Sequence, residues 1–125
     1  MDHHIETPRL RLIPCDKEIF ENFFLGDRAL ASYLNVKVPH KWNDLVGMPF
    51  RFAFEKVIKN PEDKGWWVYL AIQVDLKVLL GSCGYKGKPD ESGTVEIGYQ
   101  VAEKFRNQGY AYEMAKALIK HAFSH

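Results

Sequence analysis

The stretch TVEIGYQVAEKFRNQGYA, residues 94–111, decides the predicted fold. From Thr94 to Val101 the side chains alternate between the two faces of an extended chain, which predicts a β-strand. From about Gly109 to the end of the chain the apolar period changes to three and four residues, which predicts an amphipathic α-helix. The predicted strand carries Val95, Ile97, Tyr99 and Val101 on one face and Thr94, Glu96, Gly98 and Gln100 on the other.

The loop between this strand and this helix is suited to binding an anion. The first turn of a helix has backbone N–H groups without intrahelical partners, and the helix dipole adds partial positive charge there. A phosphate can approach these groups where side chains are small, as at Gly109 and Ala111, and Arg106 can add a charge-assisted contact. Turn geometry alone also explains a glycine at a helix start, and is the commoner reason for one.

The predicted helix has an apolar and a polar face. Apolar residues recur at helical spacing from Ala111 to Phe123. The opposite face carries Glu113, Lys116 and Lys120, which we expect to lie in water.

Upstream residues predict further strands. Trp66 to Val74 is rich in aromatic and β-branched residues, which favours a buried strand. Asp75-Leu76-Lys77 is a short connection, and Val78 to Tyr85 predicts the returning strand of an antiparallel hairpin. Arg9 to Pro14 alternates charged and aliphatic residues, which predicts a half-buried strand.

The residues between the first strand and the hairpin predict helices. Asp16 can cap a helix that ends at Gly26, and Asp27 can cap a second short helix. Residues 36–49 contain prolines, Asn, Asp and Gly, and are predicted to form a loop, whereas residues 50–60 are predicted to be helical. The order strand, helices, three strands, helix predicts an α+β (mixed α/β) domain.

The overall composition fits one ordinary domain of residues 1–125. The chain is 46% hydrophobic and 26% charged, with a formal net charge of +1. The balanced charge argues against nucleic-acid and membrane partners, and no apolar run approaches the roughly 20 residues of a membrane helix. The polar N-terminus does not resemble a signal peptide, so we predict a soluble cytoplasmic protein.

Cys15 and Cys83 are widely separated and show neither metal-ligand nor disulfide-framework spacing. We expect each to be a buried structural thiol rather than a nucleophile, and we predict no metal site.

The strand–loop–helix unit resembles the GNAT N-acetyltransferase superfamily. The cofactor motif of that family reads Arg/Gln-x-x-Gly-x-Gly/Ala, and RNQGYA at residues 106–111 matches it. ETPRLRL at residues 6–12 resembles the first strand of the branch that includes ribosomal-protein N-terminal acetyltransferases, and residues 66–85 resemble its second and third strands. The resemblance implies a central, mainly antiparallel sheet flanked by helices.

The resemblance also implies acetyl-CoA as co-substrate. Backbone N–H groups of the loop would hold its pyrophosphate, and the last strand would pair with its pantetheine arm. A backbone N–H around Val101 would face the acetyl carbonyl, where negative charge develops during the reaction. The implied cofactor-binding residues are Val101, Arg106, Asn107, Gln108, Gly109, Tyr110 and Ala111.

Glu96 is the candidate catalytic residue. The implied reaction is direct attack on the thioester by a primary amine, either a protein N-terminus or a small-molecule amine. The amine must be neutral to attack, so a general base helps. The position of Glu96 resembles that of the general-base glutamate of several family members, and Gly98 on the same face leaves room for a substrate. A solvated or ion-paired glutamate on a half-exposed strand is the open alternative.

The family fold continues beyond the helix on which this sequence ends. We therefore expect a core that lacks the C-terminal strands and helix, and with them half of the cofactor slot and the tyrosine that often protonates the leaving thiolate. An exposed strand edge and apolar helix face would favour association, including a homo-oligomer that completes the sheet. The alternative function is a catalytically incomplete acetyl-CoA-binding or protein-interaction module. A nucleotide-binding protein of another family is disfavoured, because the usual lysine-containing phosphate loop is absent.

Overall fold

An antiparallel sheet, whose strands follow the order of the chain, lies at the centre of the fold. The computed structural model describes residues 4–124, with side chains for all of them except residues 43–48. The mainly antiparallel sheet expected from the sequence is confirmed. The strands are β1 (Ile5–Glu6), β2 (Leu10–Pro14), β3 (Val68–Gln73), β4 (Val78–Tyr85) and β5 (Ile97–Val101).

In the described residues, α-helices flank the sheet on both faces. They are α1 (Lys17–Leu25), α2 (Asp27–Leu34), α3 (Trp42–Lys59) and α4 (Tyr110–Phe123), with short 3-10 helices at Pro61–Trp66 and Glu103–Phe105. The predicted cap of α1 is present, because the Asp16 carboxylate accepts a hydrogen bond from the Ile19 N–H at 2.9 Å. Within residues 4–124, no helix combines the length and apolar character needed to span a membrane.

The predicted loop over residues 36–49 is present at residues 36–41 and wrong from Trp42, because α3 begins there and contains Pro49. A proline inside a helix costs about 3 kcal/mol, so the sequence pattern favours a break there. Packing outweighs this cost: Trp42 is fully buried, and Phe50 and Val57 of the same helix lie in the same core. Burial of each large apolar side chain stabilises the fold by about 1.5–3 kcal/mol.

The fifth strand is shorter than predicted. It begins at Ile97 rather than Thr94, because Thr94 closes a turn instead of extending the ladder. The Thr94 N–H donates to the Asp90 carboxylate at 2.9 Å, and the Thr94 carbonyl accepts from the Asp90 N–H at 3.0 Å.

Each face of the sheet packs against its own set of helices. On one face, α1, α2 and α3 enclose a core that includes Phe20, Phe50 and Leu70. On the other face, α4 packs Met114 and Leu118 against β2, β3, β4 and β5.

The close approach of β4, β5 and α4 requires a glycine at position 81. A Cβ on Gly81 would overlap the Gln100 carbonyl oxygen and would lie 2.8 Å from Cε of Met114. The register between β3 and β4 shifts beside this point. This packing fixes where α4 begins relative to the end of β5.

Candidate functional site

The N-terminus of α4 begins at an exposed glycine. Gly109 is its N-cap residue with φ 84°, and Asn107 has φ 63°, both in the left-handed region that suits Gly and Asn. Within the described chain, no side chain caps this helix end. The Glu113 N–H donates to the Gly109 carbonyl at 3.1 Å, so the N–H groups in the turn before it have no intrahelical acceptor.

Arg9, from the turn before β2, holds this loop in place. Its Nη1 donates to the Gln108 carbonyl at 3.1 Å, and its guanidinium lies 4.1 Å from the centre of the Tyr110 ring. A Cβ on Gly109 would lie 3.3 Å from Arg9 Nη2, so the guanidinium sits directly against the N-cap. Arg9 thus contacts three consecutive residues of the predicted anion site.

Glu113, in the first turn of α4, anchors Arg9. Its carboxylate accepts hydrogen bonds from Arg9 Nε at 2.8 Å, from the Arg9 backbone N–H at 2.9 Å and from the Thr7 hydroxyl at 2.5 Å. Burial by itself raises the pKa of the Glu113 carboxyl, but the hydrogen bonds from Thr7 and Arg9 lower it below its usual value. The expectation that Glu113 lies in water is wrong, because its side chain is only 13% exposed.

Arg106 takes a different place from the one predicted for an anion contact. Its Nε donates to the Val101 carbonyl at 2.8 Å, which ties the loop to the end of β5. The side chain of Tyr110 is buried beneath Arg9, so this residue offers a ligand its backbone N–H only.

One edge of β5 has no neighbouring strand in the described part of the chain. The Glu96 carbonyl and the Ala102 N–H bond to Lys86 and Leu80 on the β4 side. Since backbone groups alternate in direction along an antiparallel strand, the N–H and C=O groups of residues 97, 99 and 101 point to the open edge. The bond from Arg106 to the outward Val101 carbonyl agrees with this alternation.

Glu96 lies immediately before β5 and is held by one ion pair. Its carboxylate lies 2.9 Å from Lys86 Nζ, with the two side chains 71% and 64% exposed. Lys86 also borders the space over Gly98, because a Cβ there would lie 4.0 Å from Lys86 Cε. Glu96 and Val101 are roughly 16 Å apart along the strand, so a direct contact between a ligand atom at Val101 and the Glu96 carboxylate is excluded.

Both cysteines are buried, and burial raises the pKa of each thiol. A protonated, inaccessible thiol is a poor nucleophile, which agrees with a structural role for Cys15 and Cys83.

Sequence reasoning missed Thr7, Arg9 and Glu113 as parts of this site. One signal was available, because Glu113 lies three residues after Tyr110 and directly before the buried Met114. A carboxylate so close to the apolar face of a helix requires a partner, and the sequence does not show that the partner is about 100 residues away.

The model of the acetyltransferase (GNAT) domain family matches residues 9–125. The uncharacterized N-acetyltransferase YjdG of Bacillus subtilis is 30% identical over 121 residues, which cover 96% of this chain and 72% of YjdG.

Two solved structures share the fold. The GNAT-family acetyltransferase from Bacillus anthracis matches with a TM-score of 0.58 and 23% identity, over 97% of this chain and 66% of its own. RimL, a ribosomal L7/L12 alpha-N-protein acetyltransferase in complex with coenzyme A, matches with a TM-score of 0.61 and 19% identity, over 95% of this chain and 67% of its own. The chain therefore spans about two thirds of the length of each structure.

Proposed function

This chain belongs to the GNAT acetyltransferase family, and on that premise we propose that it transfers an acetyl group from acetyl-CoA to a primary amine. The family places it among the acyltransferases, with acetyl-CoA as co-substrate. One observation carries the proposal for this chain: the short segment after the open edge of β5 leads to the uncapped N-terminus of α4.

The residues of the loop fit a pyrophosphate. Unpaired backbone donors and the positive end of the helix dipole meet at Gly109, Tyr110 and Ala111. Asn107 and Gly109 turn the backbone through left-handed conformations, and the missing Cβ of Gly109 leaves room for the Arg9 guanidinium beside the donors. In this proposal Gln108 and Asn107 contribute backbone groups, and Arg106 orders the loop from the β5 side.

The open edge of β5 fits the pantetheine arm. Val101 is the residue nearest the loop whose backbone groups point to the open edge. Because Arg106 already bonds its carbonyl, the Val101 N–H is the group that would pair with the arm. Tyr99 is the next residue towards Glu96 whose backbone groups point to the open edge. Tyr99 and Glu96 are roughly 10 Å apart along the strand. The Tyr99 N–H is therefore the donor we assign to the acetyl oxygen, because Glu96, the amine and one bridging water can span that separation.

Glu96 would act as the general base. Its carboxylate accepts a proton from the attacking amine, directly or through water, as the new C–N bond forms. The carbonyl oxygen gains negative charge and accepts the Tyr99 N–H hydrogen bond. The C–S bond then breaks, the carbonyl re-forms and the thiolate departs.

The acceptor we favour is the α-amine of a protein N-terminus. An α-amine has a pKa of about 7.7–8.0 against about 10.4 for a lysine side chain, so a larger fraction is neutral at pH 7. RimL, which shares the fold, is named for α-N-protein acetylation. Small-molecule amines are the second class to test.

The test is a thiol-release assay with acetyl-CoA, run beside a binding titration. Peptides with free N-termini, their N-blocked counterparts that carry a lysine, and small amines serve as acceptors. CoA release that requires an acceptor supports the transferase. Acetyl-CoA binding without CoA release would favour a binding module, and absence of binding would overturn the cofactor site.

A further inference from the structure

Arg9 connects the start of the chain to the proposed pyrophosphate loop through a single guanidinium group. Nε faces the Glu113 carboxylate, Nη1 faces the Gln108 carbonyl and the ring face of Tyr110 lies beneath it. A planar guanidinium can make these three contacts at once, whereas an ammonium group acts as a single point charge.

The contacts favour the loop conformation that opens the donors to a ligand. Asn107 has a left-handed backbone, which asparagine adopts more readily than most residues and which a contact from outside the loop can hold in place. Arg9 fixes the carbonyl of Gln108, the residue that joins the two left-handed positions. Glu113 fixes Arg9 in turn and offsets its charge, so the pair adds little net charge to the site.

We propose that the Arg9–Glu113 pair is a positioning element that holds the loop of residues 107–110 in the conformation that receives the pyrophosphate of acetyl-CoA. The inference rests on the proposed function. Its consequence is specific to one end of the ligand: loss of the pair weakens binding of the pyrophosphate and spares the pantetheine arm on β5.

A second arginine–glutamate pair provides a matched control. Arg11 Nε lies 2.8 Å from the Glu6 carboxylate, the same separation as between Arg9 and Glu113. The Arg11–Glu6 pair is exposed, and the hydrogen bond from Arg11 Nε to Glu6 does not involve the loop. Arg11→Lys therefore makes the same guanidinium-to-ammonium change as Arg9→Lys, without disturbing the proposed site.

The experiment compares acetyl-CoA with acetyl-pantetheine, which carries the same thioester but lacks the pyrophosphate and nucleotide. Dissociation constants are measured for the wild type, Arg9→Lys, Glu113→Gln and Arg11→Lys, with melting temperatures recorded to identify folded variants. We expect Arg9→Lys and Glu113→Gln each to weaken acetyl-CoA binding by about tenfold or more, because small misplacements of a preorganised site have effects of this size. Acetyl-pantetheine binding should change by less than about twofold in every variant, and Arg11→Lys should leave both ligands unchanged.

Three outcomes would overturn the inference. Equal losses for both ligands would mean a general structural role, and unchanged acetyl-CoA binding would mean no role. Loss in Arg9→Lys with none in Glu113→Gln would mean that Arg9 contacts the phosphates directly. If the wild type binds acetyl-CoA no better than acetyl-pantetheine, the proposed function itself loses its pyrophosphate site, which is a separate failure.

Discussion

Glu96 lies immediately before β5 and Gly109 immediately before α4, and the protein holds these two residues in different ways. Around Gly109, the 39% exposed Arg9 side chain makes two side-chain hydrogen bonds and an aromatic contact, and one of these bonds is to Glu113, whose side chain is only 13% exposed. Around Glu96, one ion pair with Lys86 joins two side chains that are mostly exposed.

This difference matches the two tasks that we propose for these residues, cofactor binding at Gly109 and proton transfer at Glu96. A ligand that must be recognised by backbone donors gains affinity when those donors are fixed in advance. An exposed ion pair contributes only about 0–1 kcal/mol, so an incoming amine can displace Lys86 from Glu96 at small cost. The geometry consequently supports cofactor binding at Gly109 more strongly than it supports base catalysis at Glu96.

The largest effect is expected from Gly109→Asp. The new side chain would start 3.3 Å from Arg9 Nη2 and would bring a carboxylate beside the proposed pyrophosphate donors, which should cost about 3 kcal/mol or more in acetyl-CoA binding, a loss of over a hundredfold in affinity. Isothermal titration with acetyl-CoA measures it.

Gly109→Asn is the matched control for this change. Asn and Asp tolerate the left-handed conformation better than other residues and are nearly the same size, so both variants should fold with a similar loss of stability. Equal affinities for the Asp and Asn variants would show that charge at this position is irrelevant, and the pyrophosphate assignment would fall.

Glu96→Gln should lower kcat/KM by about a hundredfold if Glu96 is the base, and leave acetyl-CoA affinity unchanged. The loss should be greatest at low pH, where more of the acceptor amine is protonated and a base is most needed. A pH profile of initial rates tests this, with Glu6→Gln as a control that removes another ion-paired, exposed carboxylate. A rate equal to that of the wild type across the profile would leave Glu96 as a surface ion-pair residue.

Glu113→Gln should lower the free energy of unfolding by about 2 kcal/mol at pH 7, because charge-assisted hydrogen bonds from Thr7 and Arg9 are weakened. The folded-state pKa of Glu113 is below its ordinary value of 4.5, so the carboxylate's contribution is complete above that pH and is lost as pH falls through the lower, folded-state pKa. Urea denaturation at several pH values should show the two proteins converging in acid. A stability difference that stays constant with pH would contradict the described pairing.

The smallest effect is expected from Lys86→Ala. Loss of an exposed ion pair should change the free energy of unfolding by less than about 1 kcal/mol. If this variant were destabilised as much as Glu113→Gln under the same denaturation conditions, the contrast between the contacts at Glu96 and those at Gly109 would be contradicted.

The sequence predicted well those features that depend only on the residues of a single helix or strand. The strand at Val78–Tyr85 has the predicted bounds, and α4 begins at the predicted glycine. The first half of α3 could not be predicted, because burial of Trp42 offsets a proline that by itself indicates a break.

The loop of the candidate site was predicted from a family resemblance and from helix-terminus physics. The residues that support the loop, Arg9 and Glu113, were not predicted. Their contact follows from tertiary packing and leaves no pattern in the local sequence. The direction of Arg106 was also not predictable, because it depends on the Val101 carbonyl that the edge of β5 leaves open.

The contact between Arg9 and Glu113 joins residues 104 positions apart. Contacts with such large separations form late, because the chain between them must first be ordered. The loop can therefore adopt its proposed ligand-binding conformation only after β1, β2 and α4 have packed together. During synthesis on the ribosome, a chain that has not yet exposed Glu113 would lack the contact that completes the proposed anion site, so affinity for the cofactor would appear only after α4 has emerged.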